Sequence, residues 1–212
     1  IVYTVEPMCP QHLVIFARQP LLGKTKSRLA TDIGAIAAHK FYRKTLNRTA
    51  WNLGRDHRWK TWLSATPDIS AINKRLWPIP PNIALFGQGR GNIGTRMSRV
   101  FNALPAGPIV IIGSDIPSIQ KSDIQTAFKA LGHNSFVFGP AFDGGYWLIG
   151  LNSVTTLPMN LFKNVHWSSP NALSDTLINI PSRFRVQILK KHLDIDDYKA
   201  WHYWKNNKPK AG

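Results

Sequence analysis

The chain has 212 residues, 43% of them apolar, which suffices for one sizeable core, and its 11% aromatic content excludes a disordered chain. Twenty-seven Lys and Arg against eleven Asp and Glu leave a net charge of +16, which draws phosphates, nucleic acid and anionic membranes without choosing among them. The lone cysteine, Cys9, excludes an internal disulfide and fits a cytoplasmic protein, and no apolar run approaches the ~20 residues of a membrane-spanning helix.

Near the start of the chain, Glu6 and Pro7 interrupt any signal-like apolar run, and residues 1–11 read as an N-terminal extension. Residues 12–204 read as a single α/β domain and 205–212 as a basic tail. Within the domain, Leu13 to Ala17 is a short β-forming run that predicts a buried strand. Pro20 and Gly23 break regular structure after it, and a helical period starts near Ala30 and runs past Leu46. The intervening loop carries Arg18, Lys24, Lys26 and Arg28. In an open α/β sheet a loop at the carboxyl end of the first strand is a ligand position, and free N–H groups with Lys and Arg suit a phosphate-bearing ligand. A P-loop is rejected: Gly23-Lys24-Thr25 supplies its second half, but Arg18 occupies the place of its first glycine.

Downstream, Ala35 to Leu53 is apolar at helical spacing and Trp59 to Ala65 alternates as a strand. Asp68 to Trp77 predicts a short helix closed by prolines, and Ile83 to Phe86 a third strand. A glycine-rich loop, Gly87 to Gly94, leads into a helix over Thr95 to Leu104. The continuous apolar run ending at Gly113 predicts a central strand buried on both faces. Ser122 is the expected cap of a helix reaching Leu131, and strands are expected at Ser135 to Phe138 and Tyr146 to Leu151. Ser168 or Ser169 is the expected cap of another helix, and Asp194 the expected start of an aromatic-rich last one. Alternating strands and helices argue a three-layer, doubly wound, mostly parallel sheet.

With so few acids, their placement carries information. Asp123, Asp175, Asp194, Asp196 and Asp197 read as helix caps or solvated faces. Asp115 differs, because it follows the most apolar strand in Gly-Ser-Asp-Ile-Pro, and Asp143 lies between two strands in Gly-Pro-Ala-Phe-Asp-Gly-Gly-Tyr. Such carboxylates need a cation, a metal or hydrogen bonds, and Mg²⁺ is often held by one or two carboxylates plus substrate phosphates. Asp115 and Asp143 are therefore candidate ligands of a divalent metal, with His166 as a third; a turn Asp bonding local N–H groups is the plainer alternative. Gly89-Arg90-Gly91-Asn92-Ile93-Gly94 matches Gly-x-Gly-x-x-Gly but follows the third strand, so dinucleotide binding is a minor alternative. Trp201, Tyr203 and Trp204 are expected to pack a terminal helix.

Taken together, Phe16-Ala-Arg-Gln-Pro20, Gly23, Lys26-Ser-Arg-Leu29, Gln88, Gly91-Asn-Ile-Gly-Thr-Arg-Met97, Gly113-Ser-Asp-Ile-Pro117, Gly139-Pro-Ala-Phe-Asp-Gly-Gly-Tyr146 and Trp167 resemble the glycosyltransferase-like family with the GT-A, nucleotide-diphospho-sugar transferase fold, which includes members assigned to arsenosugar biosynthesis. Lys26-Ser-Arg-Leu29 is also similar to the first loop of 2-phospho-lactate guanylyltransferases. The resemblance spans Leu13 to Leu177. It departs at Arg18 and Ser27, where Lys and Thr are usual, and at Asn92 and Thr95, where acids are usual. It implies a transferase acting on a nucleotide sugar or a nucleoside triphosphate, with Mg²⁺ or Mn²⁺ and a small-molecule acceptor. It also implies that Arg18, Gly23, Lys24, Lys26, Arg28, Gln88, Gly91 and Gly94 contact the nucleotide and that Asp115, Asp143 and Lys26 are catalytic. Glycosyl transfer is favoured over nucleotidyl transfer because the Asp-Gly-Gly-Tyr stretch matches better. The non-enzyme alternative is a basic nucleic-acid-binding protein, supported by net charge and weakly by Arg55 to Trp62.

Overall fold

A computed structural model describes residues 10–207, built on one seven-stranded sheet. Its strands are β1 (Gln11–Arg18), β2 (Trp59–Thr66), β3 (Ala84–Gly87), β4 (Ile109–Gly113), β5 (Phe136–Pro140), β6 (Tyr146–Leu151) and β7 (Val186–Ile188). The helices are α1 (Ser27–Ile33), α2 (Ala35–Gly54), α3 (Ile93–Ala103), α4 (Lys121–Leu131), α5 (Ala172–Ile178) and α6 (Tyr198–Asn206). Strand order is β3-β2-β1-β4-β6-β5-β7. Neighbouring strands are parallel except at β6, which runs against both β4 and β5.

Alternation along the strands creates the layers. Leu13, Ile15 and Ala17 of β1 face one way, with Val110 and Ile112 of β4, and pack on Leu46, Ala50 and Leu53 of α2 and on Ile124 and Phe128 of α4. Val14 and Phe16 face the other way, with Ile109 and Ile111, and pack on Met97, Val100 and Phe101 of α3. Both faces of the central strands are therefore covered, which is why β1 and β4 read as unbroken apolar runs. This is the doubly wound, three-layer, mostly parallel sheet that the element order predicts.

Several boundaries move. The helical period expected from Ala30 is split by Gly34, whose φ of 83° an L side chain rarely adopts, so α1 ends and α2 begins around it. Asp68 to Trp77 forms two 3₁₀ turns, Asp68–Ala71 and Lys74–Leu76, in place of a helix; Asn73 interrupts them by accepting the N–H of Arg75 on its side chain. α4 is capped by Gln120 in a capping box with Asp123, two residues ahead of the expected Ser122 cap. Neither Ser168 nor Ser169 caps α5: Ser168 has φ 60°, and Ser169 Oγ accepts the N–H of Asn171, which is the N-cap. α6 starts after Asp197, which caps it through the N–H of Ala200, so Asp194 lies outside the last helix. β7 has no counterpart in the sequence reading; three residues with one partner strand leave too weak a period to detect.

Trp201 and Trp204 do pack α6 against Leu29 and Ala38, with the Trp204 ring 5.3 Å from Phe41, whereas Tyr203, expected to pack with them, is exposed. The extension expected over 1–11 and the tail over 205–212 lie largely outside the described residues. Where they enter, Gln11 already belongs to β1 and Asn206 still belongs to α6. Among the described residues no helix is long and apolar enough to cross a membrane.

Candidate active site

Strand direction brings distant segments to one edge. Phe16 of β1 pairs with Gly113 of β4, so Arg18 and Asp115 both emerge at the carboxyl ends of adjacent central strands. β6 is reversed, and Leu148 pairs with Ile112; the β5–β6 connection carrying Asp143 therefore opens on that edge too. A fourth segment arrives after β7. Ala141 bridges to His192, and the N–H of Ile195 donates to the carbonyl of Asp115 at 3.2 Å, setting Asp194 and Asp196 on either side of that contact.

Lys26 is the link between the basic loop and the acids. It sits at the N-cap of α1 in a left-handed conformation, φ 53° and ψ 46°. Its Nζ lies 2.8 Å from Asp115 Oδ2 and 3.3 Å from Asp196 Oδ1, and the side chain is only 6% exposed. Burial disfavours the charged ammonium, but Asp115 and then Asp196 outweigh it and the pKa of Lys26 is raised. Lys26, which the sequence reading placed in a phosphate-binding loop, is a buried ion-pair centre in this structure. Arg28 reaches Asp196 Oδ2 at 3.2 Å from an exposed position, and the Arg18 guanidinium donates to the carbonyl of Lys24. Tyr42 of α2 fastens this corner: its hydroxyl accepts the N–H of Arg18, donates to the carbonyl of Arg18 at 2.8 Å, and lies 3.1 Å from Ser114 Oγ. Burial is the main reason its phenol is pushed up to about 12, so it stays a neutral clamp. Arg18, Lys24, Lys26 and Arg28 line one cavity of about 560 Å³ with Tyr42, Ser114, Asp115 and Asp196.

A second cavity, about 270 Å³, adjoins it through Asp115 and Ser168, which line both. Its walls include Phe16, Met97, Ile111, Tyr146 and Trp167, and its carboxylates are Asp115, Asp143 and Asp194. Asp143 Oδ1 accepts the N–H of Gly145 at 2.9 Å, which is the local turn bond of the plainer alternative, yet the same residue lines the cavity. Asp194 has its carboxyl pushed up to about 6, first by burial and then by the negative charges of Asp143 and Asp115. The three acids thus feel one another across a shared space.

Other expected site residues do not join them. Gln88 is buried and employed by the fold: its amide donates to the carbonyls of Ser64 (2.9 Å) and Ala17 (3.5 Å) and accepts from Arg96 at 3.2 Å. Both amide hydrogens and one lone pair of the Gln88 side chain are thus engaged within the fold, and Gln88 lines neither cavity. Gly94 is likewise structural, since a Cβ there would stand 2.5 Å from Phe162 and 2.7 Å from Trp167. Gly91, with φ 109°, exposes its carbonyl to Arg96 Nε at 2.8 Å and lines neither cavity. Gly23, with φ 71°, serves the turn that presents Lys24 and also lies outside the lining. Asn92 and Thr95, the departures from acids, form the α3 cap, with Asn92 Oδ1 accepting from Thr95 N at 2.9 Å. His166 is corrected as a third metal ligand: its Nδ1 is 2.8 Å from Asp175, it is exposed, and it lines neither cavity. Among the described residues no three His, Cys, Asp or Glu side chains come together to hold a metal.

Conversely, Tyr42 and Asp196 line the larger cavity and Asp194 the smaller, and the sequence reading singled out none of them for the site. Tyr42 sits inside an ordinary helical period, which carries no hint of its hydroxyl's partners. Asp194 and Asp196 had one available signal: three of eleven acids fall within Asp194 to Asp197, a concentration beyond what a single helix cap needs.

In fold the chain is similar to a candidate nucleotide-diphospho-sugar transferase of Desulfovibrio desulfuricans G20, with 24% identity, a TM-score of 0.80, and 95% of this chain and 89% of that one covered. It is also similar to the 4-diphosphocytidyl-2C-methyl-D-erythritol synthase of Anaerococcus prevotii DSM 20548, with 12% identity, a TM-score of 0.58, and 92% and 95% covered. A third likeness is to Rv0371C of Mycobacterium tuberculosis H37Rv in its complex with manganese, with 14% identity, a TM-score of 0.55, and 93% and 98% covered. At these identities the likenesses establish the fold. Among curated proteins none matches the sequence. Residues 48–169, more than half of the chain, match the family described as an uncharacterized protein conserved in bacteria (DUF2064), and the chain belongs to that family.

Proposed function

We propose that residues 12–204 form a single transferase domain acting in the cytoplasm on a nucleotide-bound substrate, with a nucleotide sugar as the preferred donor. The observation that carries this is the meeting, at Asp115, of a cavity lined by four cations and a cavity lined by aromatic and acidic groups. In this reading Arg18, Lys24, Lys26 and Arg28 bind the donor's phosphates in the larger cavity, and the sugar's reacting carbon lies at Asp115, where the two cavities meet. An acceptor hydroxyl attacks the anomeric carbon. The new carbon–oxygen bond forms as the bond from that carbon to the diphosphate oxygen breaks, and the nucleoside diphosphate leaves with the electron pair. The hydroxyl proton passes to Asp194, whose carboxyl, held up to about 6, suits a proton acceptor working near neutrality. The leaving diphosphate develops its charge beside Lys26, whose buried ammonium is already oriented by Asp115 and Asp196.

The acidic wall fits a divalent cation. Asp143 and Asp115 both raise Asp194, so negative charge is in excess at that wall, and Mg²⁺ or Mn²⁺ is commonly held by one or two carboxylates completed by phosphate oxygens. Asp115 and Asp143 would hold it. Bound there, the ion would neutralise charge on the donor's phosphates. The similar Rv0371C structure is a complex with manganese, which supports the choice of metal.

Nucleotidyl transfer is the second reading, favoured by the Lys26-Ser-Arg-Leu29 loop and by the fold shared with the cytidylyl-type synthase. The attacked atom is then the α-phosphorus of a nucleoside triphosphate, and diphosphate leaves. Incubating the protein with Mn²⁺, candidate acceptors and either nucleotide sugars or nucleoside triphosphates separates the two. Nucleoside diphosphate released from a nucleotide sugar is expected; acceptor-dependent diphosphate release alone would reverse the preference. Tight, salt-sensitive DNA binding without any nucleotide binding would replace both by the nucleic-acid alternative.

A further inference from the structure

The smaller cavity differs from its neighbour in a way that selects what can enter it. Its lining includes Asp115, Asp143 and Asp194 and contains no Lys, Arg or His. Four cations at this edge, Arg18, Lys24, Lys26 and Arg28, line the other cavity, where Lys26 is paired with Asp115 and Asp196 and Arg28 with Asp196. The remaining wall is apolar or aromatic. Tyr146 and Trp167 pack edge to face at 6.4 Å, and Trp167 is held between Gly94 and Phe162. One buried polar atom in that wall, the Trp167 indole N–H, has no hydrogen-bond partner. Unpaired buried polar atoms are uncommon and demand a reason. A volume of about 270 Å³ is near the lower bound of the ~300–1,000 Å³ typical of small-molecule pockets, room for one ring-sized group.

We infer that this cavity takes an uncharged, hydroxyl-bearing acceptor with an apolar face, such as a glycoside, and rejects phosphorylated or carboxylated acceptors; the inference rests on the transferase reading and specifies its acceptor. Aromatic rings receive the apolar face of a sugar ring, while hydroxyls satisfy carboxylates and indole N–H groups. Without a bound metal, a phosphate in the same space would meet the carboxylates of Asp115, Asp143 and Asp194 and no lining cation, and the nearby Lys26 ammonium is already paired with Asp115 and Asp196, which is the basis for exclusion. The second reading, with an anionic acceptor of the phospho-lactate kind, would require a cation in this wall.

Isothermal titration in metal-free buffer tests the inference. The probes are phenyl β-glucoside, phenyl β-galactoside and phenyl α-mannoside, the 6-phosphates of the same three sugars, and a nucleoside diphosphate as a control of the neighbouring cavity. At least one neutral glycoside should bind ten-fold or more tightly than any of the phosphates. Trp167→Ala should weaken it ten-fold and leave nucleoside diphosphate affinity unchanged. In case that variant fails to fold, Ser169→Lys places an ammonium on the rim and should raise 6-phosphate affinity several-fold. Phosphates binding as tightly as the glycosides, or neither class binding while the nucleoside diphosphate does, would overturn the inference and leave the transferase reading standing. If the wild type binds no nucleoside diphosphate even when Mn²⁺ is added to a parallel titration, that reading is overturned and the inference with it.

Discussion

Two cavities open side by side on the carboxyl edge of the sheet, share Asp115 and Ser168, and carry opposite charge. Their origins differ as well. The four cations of the larger one come from a single eleven-residue stretch, Arg18 to Arg28, whereas the acids of the smaller one come from three separated segments after β4, between β5 and β6, and beyond β7. A site assembled from one loop is local information; a site assembled from three segments exists only once the sheet has formed. Asp115 belongs to both and is pinned twice, by the ammonium of Lys26 and by the main chain of Ile195.

Removing the shared residue's charge should have the largest effect. Asp115→Asn is expected to fold and to lose on the order of 10²–10³-fold in turnover, the size seen when one preorganised electrostatic group is deleted. Steady-state rates on the donor identified by product release, with metal affinity by titration, check this; a folded variant with wild-type turnover would break the link between the cavities.

Lys26→Met comes next, because it keeps length and apolar stem but strips the cation from two carboxylates. Breaking a fully buried pair costs ~3–5 kcal/mol; with Asp115 and Asp196 partly solvated we expect about 2–3 kcal/mol. Urea unfolding measures it, and a loss below about 0.5 kcal/mol would return Lys26 to an ordinary loop cation.

Asp194→Asn should act in the opposite sense on stability. Below pH about 4 the folded and unfolded chains both hold the proton, and above about 6 neither does; between those limits only the folded chain retains it, so wild-type stability falls as pH rises. Discounted for partial solvation, the asparagine variant should be more stable than wild type by about 1–2 kcal/mol at pH 8 and indistinguishable at pH 3. The wild-type rate should rise with pH through about 6, and this rise should be missing from the variant. A pH-independent stability difference would show that Asp194 does not share the acidic wall.

The smallest effect is expected at the rim. Arg28→Ala removes an exposed partner of Asp196 and should change stability by less than about 0.5–1 kcal/mol, while weakening nucleotide binding in a salt-dependent way. Nucleotide titrations at low and high salt check it; a salt-independent loss would place Arg28 in direct, desolvated contact.

Much of the architecture was legible because it is written in short-range pattern. Ile109 to Ile112 has to be a two-faced buried strand, and Pro20 with Gly23 has to be a loop, so the basic cluster could be placed at a strand end from residue order alone. Asp115 followed from its position after that strand. Gln88 and Gly94 read as nucleotide contacts because polarity and glycine content resemble ligand contacts in a sequence, while only coordinates show that the Gln88 amide donates to Ser64 and Ala17 and that Gly94 makes room for Trp167. Asp194 was misread for the converse reason. Its role depends on Asp143 and Asp115, which lie 51 and 79 positions earlier, and no local period encodes that proximity.

The left-handed backbone at Lys26 has a consequence for how this position can drift. A non-glycine residue there carries a conformational cost of about 1 kcal/mol, which Gly would remove and Asn would ease. Backbone preference therefore pulls position 26 toward residues without a cation, and the ion pairs with Asp115 and Asp196 pull it back toward lysine. In a lineage that lost the donor substrate, position 26 should be among the first to relax to glycine or asparagine, and reconstructing lysine there should restore nucleotide binding at the expense of a stiffer, less forgiving turn into α1.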